Sequence, residues 1–258
     1  MLVIRKDQME MFRKEAQRNF EKSMLAHLGN FSPLLFKTVG EEQMFKVISL
    51  GIDRAGSHGF TFRGPVRLYL ELMLLFGSHF DTDPQFPWAT SILTTQDAGF
   101  QMQRAEWLFE KVMDYRKQVS GPESAYALEA LRNIAFFVRQ PPPLSSENFI
   151  PAMLREIAGI YPQKAAYVGN EGLETLIRKG MGGAQRQRFT TVRGVTLIIM
   201  LMFAFGHGCG KDPLYPWIAN TLKADSAPTP EAKTTLLEKN ALIWLEHVLA
   251  NHDKGKPA

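Results

Sequence analysis

Apolar side chains recur along this chain at three- and four-residue intervals, with charges between them. In residues 8–28, Met11, Phe12, Phe20, Met24, Leu25 and Leu28 fall largely on one side of a helix, the 3.6-residue period of an amphipathic α-helix. Residues 41–54 repeat the pattern with Met44, Phe45, Val47, Ile48 and Ile52, behind Gly40, a residue suited to the turn between two helices. Residues 65–80 and 195–205 are apolar on more than one face. A helix without a polar face belongs in the middle of a bundle, so these two segments predict the central core helices. Residues 101–116 and 231–249 read as amphipathic helices, and no stretch sustains a two-residue alternation. The pattern predicts an all-α fold.

The pattern also occurs twice. Shifting the chain by 129 positions aligns residues 19–88 with 148–217 without a gap, and about a third of those seventy positions are identical. Asp83, Pro84, Pro87 and Trp88 return as Asp212, Pro213, Pro216 and Trp217, and Gly40, Gly51 and Phe76 as Gly169, Gly180 and Phe205. A repeat of this length predicts tandem duplication of a multi-helix unit, two similar helical bundles packed in one chain. Residues 105–113 match 241–249 at a different offset, which predicts a register change in the intervening loop, where insertions are cheapest. The expected organisation is a first helical repeat over 1–120, a linking helix and Pro-rich linker over 121–143, a second repeat over 144–250, and a flexible tail over 251–258. Pro141, Pro142 and Pro143 mark the boundary, since they end the preceding helix and fix an extended link.

Composition narrows the class. Apolar content of 45% and charged content of 22% are those of a globular protein. The formal charge of +4 is too small to point to nucleic acid without basic residues gathered on one face. Cys209 is the single cysteine, so an intrachain disulfide and a thiolate cluster are excluded. The longest apolar run, 195–205, is about half of the roughly 20 residues that span a bilayer. The N-terminus lacks the order of a signal peptide. The expectation is a cytoplasmic protein with no membrane, nucleic-acid or cofactor partner, its oligomeric state left open.

Candidate chemistry is sparse. Asp81 and Asp83 suggest a cation site, yet two carboxylates fall short of the roughly six oxygens a hard cation takes. Asp81 is also replaced by Gly210 in the second copy. Asp83-Pro84 and Asp212-Pro213 read instead as helix starts, with Asp as N-cap and Pro at the first helical position, and Trp88 and Trp217 as buried aromatics locking a corner. His79, His207 and Cys209 cluster at the same corner without a full zinc ligand set, and Cys209 reads as a small apolar filler. His27, His58 and His247 have no acid or nucleophile at motif spacing. Gly180 to Gln185 lacks the Lys-Ser/Thr ending of a phosphate loop. The basic stretch of Arg178, Lys179, Arg186, Arg188 and Arg193 is a difference between the copies. It reads as a solvated loop and as the candidate protein-interaction site for an acidic partner.

The opening Leu2-Val3-Ile4-Arg5-x-x-Gln8-Met9 and the segment Phe76 to Ala89 resemble a group of bacterial proteins. These are encoded beside type VI secretion effectors, their spike proteins and adaptors. The resemblance is clearest over residues 2–110 and carries over no catalytic residue. It implies a non-enzymatic cytoplasmic accessory protein, of chaperone or adaptor type, that binds an effector or its adaptor before delivery. The alternatives are an immunity protein neutralising a cognate toxin and a toxin effector itself.

Overall fold

The structure is a computed structural model and describes residues 5–95, 100–224 and 227–254. Residues 2–4 of the opening motif and 255–258 of the expected tail lie outside the described residues. The chain is all-helical, with no strand among the described residues. The first half contains α1 (Lys6–Phe31), α2 (Pro33–Val39), α3 (Glu41–Ser57), α4 (Arg63–Phe76), α5 (Pro87–Leu93) and α6 (Gln101–Tyr115). After α7 (Ala125–Arg139), the second half runs through α8 (Phe149–Ile160), α9 (Pro162–Arg186), α10 (Val192–Phe205), α11 (Pro216–Leu222) and α12 (Pro230–Lys254).

The central helices are the two that pattern selected. Eight residues of α4 and ten of α10 are buried. Each is crossed closely by the helix before it at a glycine. A Cβ on Gly51 of α3 would overlap Leu70 and Met73 of α4, and one on Gly180 of α9 would overlap Ile199 of α10 at 2.5 Å. Both helices stop at a glycine in a conformation that L side chains rarely adopt: Gly77 has φ 91° and ψ 154°, and Gly206 has φ 91° and ψ 151°. The first core helix therefore ends at Phe76, four residues short of the predicted Phe80.

The backbone leaves the helical region at matching places 129 residues apart. Gly40 (φ 83°, ψ 158°) separates α2 from α3, and Gly169 (φ 74°, ψ 165°) breaks α9 at the equivalent place. Asp83 and Asp212 lie within a few degrees of each other (φ −80° and −77°, ψ 126° and 124°). So do Phe86 and Tyr215 (φ −130° and −127°, ψ 58° and 57°). Beneath these turns sit two aromatic groups at matching positions. Phe76 lies 4.6 Å from Phe86 and 4.9 Å from Tyr115, while Phe205 lies 4.7 Å from both Tyr215 and Trp244.

Those groups correct the expected register change. Tyr115 of α6 and Trp244 of α12 are themselves 129 residues apart, and α6 and α12 begin that far apart. Leu108 and Leu237 are both fully buried. Burial keeps the register: Ala105 and Val112 likewise stand opposite Thr234 and Ala241, all four of them buried. Of the expected tail, residues 251–254 continue α12, which runs through Lys254.

The two halves share one continuous hydrophobic core. The helix with no counterpart, α7, packs along α12 and against the π-helical turn Arg116–Ser120 at the end of α6. Its Ala127, Ala130, Leu131 and Ile134 close a cavity of about 270 Å³ between the two aromatic groups. Lys164 also lines it, 5% exposed, donating to the Phe203 carbonyl in the last turn of α10. Burial pulls its pKa down to about 8, yet a cation among C-terminal carbonyls is where the helix dipole favours one. The first half has Leu35 at that position.

Candidate functional site

The two Asp-Pro turns meet back to back, and each is tied to the other half. Asp212 accepts from the Ser78 backbone N–H and hydroxyl, both at 2.6 Å. Asp83 accepts from the His207 backbone N–H at 2.6 Å; Ser78 and His207 are themselves equivalent positions. Each carboxylate also accepts from the backbone N–H two residues on, at Gln85 and Leu214, both 2.9 Å. Neither aspartate is therefore a helix N-cap, which corrects that expectation. Pro87 and Pro216 open the short helices, behind Phe86 and Tyr215. Pro84 and Pro213 lie in the turn, and the carboxylates are committed to cross-ties and local Asx turns. The fit is tight: a Cβ on Gly77 would lie 2.5 Å from the Phe205 carbonyl oxygen, and one on Gly206 2.7 Å from that of Phe76.

The two aspartates differ in charge environment. Burial raises the pKa of both. At Asp83 the hydrogen bonds from His207 and Gln85 outweigh it, and the group ends below the ordinary carboxylate range. At Asp212 burial prevails over Ser78 and Leu214, and the pKa ends above it. The His207 Nδ1 lies 3.3 Å from Asp83 Oδ2, close enough for charge attraction but without hydrogen-bond alignment. Trp88 and Trp217 are half-buried, Trp88 edge-on to Phe76 at 5.9 Å and Trp217 stacked on Trp244 at 6.4 Å.

Tertiary folding also assembles a network with no sequence motif. Asp81, 3% exposed, binds Arg54 and accepts from Tyr69 at 2.9 Å, and it meets His58 Nε2 at 2.9 Å. Burial opposes its ionisation, but His58, Arg54 and Tyr69 overcome this and hold its pKa at about 2. His58 thus has a paired acid after all, as does His27, whose Nε2 lies 2.6 Å from Glu71. An acid–imidazole pair is part of nucleophilic catalysis only when the imidazole also meets a nucleophile. Here the remaining ligands of Asp81 are Arg54 and Tyr69, and the network fixes the turn Phe80–Thr82 against α3 and α4. One signal was present in the sequence: Arg54, Tyr69 and Asp81 face Gly183, Ile198 and Gly210 in the other copy, so the three change together.

At that place in the second half there is a cavity of about 490 Å³. Ile198, Leu201, Ile218 and Leu222 form apolar walls, and Arg186, Lys211, His79 and His207 bring nitrogen. His79 comes from the other half, its ring filling the space a side chain on Gly208 would need, 2.5 Å from the Cβ position. Burial, with the nearby Arg54 charge, holds its pKa down to about 4. Cys209 is 4% exposed, and burial pushes its thiol far above the ordinary range.

The basic stretch is not a loop. Arg178, Lys179 and Arg186 belong to the last turns of α9, because the apolar spacing of Leu173, Leu176, Ile177 and Ala184 keeps the helix seated on α10. Arg178 pairs with Glu174 at 3.7 Å, and Lys179 reaches the Thr82 carbonyl at 3.5 Å. Arg193 is held by Glu238 on α12. Arg188 follows the helix at φ 62°, where the first half has Gly59 at φ 74°. The five residues do not converge; Arg186 alone lines the cavity.

Two apolar surfaces face outward. Residues 8–12 and 14–19 of α1 are all exposed, with Met11 67% and Phe12 64% accessible. Phe31, Leu75, Phe109 and Met113 rim a groove between α1, α4 and α6, with Glu71 and Arg116 as its charged lining. Among the described residues no group of three or more His, Cys, Asp or Glu side chains is placed to hold a metal, and no helix is long and apolar enough to cross a membrane. No family model, curated protein or solved structure matches this chain.

Proposed function

We propose that the chain is a tandem duplication of one helical unit and works as a non-enzymatic accessory protein. In the cytoplasm it holds a type VI secretion effector, or that effector's adaptor, before delivery. The equal backbone angles at residues 129 apart and the reciprocal ties of Asp83 and Asp212 support the duplication. The partner follows from the resemblance of residues 2–110 to proteins encoded beside such effectors.

The observation that carries a binding role is α1. Its first turns expose Met9, Met11 and Phe12, and residues 8–12 and 14–19 are all exposed. A helix of about 12–15 residues without tertiary packing is marginal in water, so an amphipathic one is stabilised by a partner that covers it. The apolar groove beside α6 extends the surface.

Co-purification of the full chain with the effector, adaptor and spike protein encoded beside it tests this reading. One of them should be retained, and the double change Met11→Asp, Phe12→Asp should release it without altering the melting temperature. Retention of none of the three, or retention undiminished by the double change, overturns the reading. Neutralisation of a co-expressed toxin would replace it with an immunity role.

A further inference from the structure

The 490 Å³ cavity is the vacated counterpart of the Asp81 network. In the first half the space between α3, α4 and the turn after them is occupied by side chains. The Asp81 carboxylate sits under Arg54, His58 and Tyr69, and the Tyr69 and Phe80 rings lie 4.9 Å apart. At the equivalent positions the second half has Gly210, Gly183, Gln187, Ile198 and Cys209. It has therefore lost one carboxylate and two aromatic rings from a single place, and the cavity is what remains.

Arg54 and His58 have no basic counterpart either, but other positions bring positive charge to the cavity. Arg186 folds back along α9 until its Nη2 is 3.9 Å from where a Cβ on Gly183 would stand, the position from which Arg54 reaches Asp81. Lys211 also lines the cavity, and His79 and His207 enter from the junction, the His207 Nδ1 turned to Asp83 at 3.3 Å and the His79 Nδ1 buried without a hydrogen-bond partner. No carboxylate lines the cavity. Asp83 and Asp212 at the junction are already engaged, by backbone N–H groups and by the side chains of Gln85 and Ser78. The remaining wall is apolar, and the volume is in the range of small-molecule sites.

We propose that this cavity binds a small organic monocarboxylate with an apolar ring, its carboxylate taking the place of the missing Asp81 side chain and its ring that of Tyr69 and Phe80. The carboxylate meets Arg186, Lys211 and His79, and the ring lies on Ile198, Leu201 and Ile218. Arg186 and Lys211 stand exposed at the cavity with no acid among its lining residues, so their field favours an anionic guest and disfavours a cation. The assignment rests on the equivalence of the halves proposed above and is independent of any protein partner.

Calorimetric titration of the full chain with 3-phenylpropionate tests it, with 3-phenylpropanamide and 3-phenylpropylamine as neutral and cationic analogues. The carboxylate should bind saturably at one site, at least about tenfold more tightly than either analogue, and Arg186→Gln should weaken it by about tenfold. Gly210→Asp restores an internal carboxylate where a Cβ meets only Leu222 Cδ1, at 3.1 Å. It should abolish binding and leave the melting temperature unchanged or higher. The proposal is overturned if the carboxylate shows no saturation up to about 10 mM, if an analogue binds equally well, or if Gly210→Asp binds as the parent does. Loss of partner capture with intact carboxylate binding would remove only the accessory-protein reading.

Discussion

Under α5 the first half holds Asp81 between Arg54, His58 and Tyr69, whereas under α11 the second half holds Gly210, Gly183 and Ile198 around open space. The surrounding frame is the same in both. Glycines end the core helices at φ 91° on each side, aspartates bridge to the opposite turn, and aromatic groups fill the space beneath. The frame therefore does not depend on the network. The ion cluster is a local filling of one corner, and the other corner keeps the same turn beside a cavity.

Removing the acid from the filled corner should break this comparison most severely. Asp81→Ala strands Arg54 beside a buried tyrosine and should cost about 3–5 kcal/mol in urea unfolding. Gly210→Ala, the matched change in the empty corner, should cost less than about 1 kcal/mol. Equal losses would mean that both corners depend on the same contacts.

Acid should separate the corners next. The pKa of Asp81 is held at about 2, below its unfolded value near 4. Its contribution is therefore complete above pH ~4 and is lost as pH falls toward ~2, by about 2–3 kcal/mol. His79, depressed to about 4 by burial, is neutral in the fold while the unfolded chain protonates near pH 6.5. It removes stability in an earlier window between pH ~6.5 and ~4, by about 2 kcal/mol once its partial exposure is allowed for. Denaturant midpoints measured across pH should lose the lower window in Asp81→Asn and the upper one in His79→Gln.

The smallest effect sharpens the comparison at the end of α9. Arg188 adopts φ 62° where Gly59 adopts φ 74°, and a left-handed L residue costs about 1–2 kcal/mol, part of which glycine returns as chain entropy. Arg188→Gly should raise stability by about 0.5–1 kcal/mol, visible as a higher melting temperature. A lower one would show that the arginine side chain contributes more than its backbone strain costs.

Much of the helical frame was legible because periodicity reports it directly. The largely apolar 65–80 and 195–205 cover most of the two central helices, and Pro87 and Pro216 open α5 and α11. The roles of the polar residues were less visible. Asp83 looked like a cap and is a tie to residue 207; His58 looked solitary and pairs with Asp81, 23 positions away. The basic stretch looked like one surface, yet Glu238 holds Arg193 and α9 turns Arg186 toward the cavity.

Sequence alone determined the helical class, the core helices and the offset of 129 residues, since each is a property of order along the chain. Tertiary structure decided that the two halves share one core, that Asp83 and Asp212 bind across the junction, and that one corner is filled and the other empty. The physical reason is that spacing records which face of a helix avoids water. A hydrogen bond between residues 124 or 134 positions apart, or the space left by an absent side chain, exists only once the faces have met.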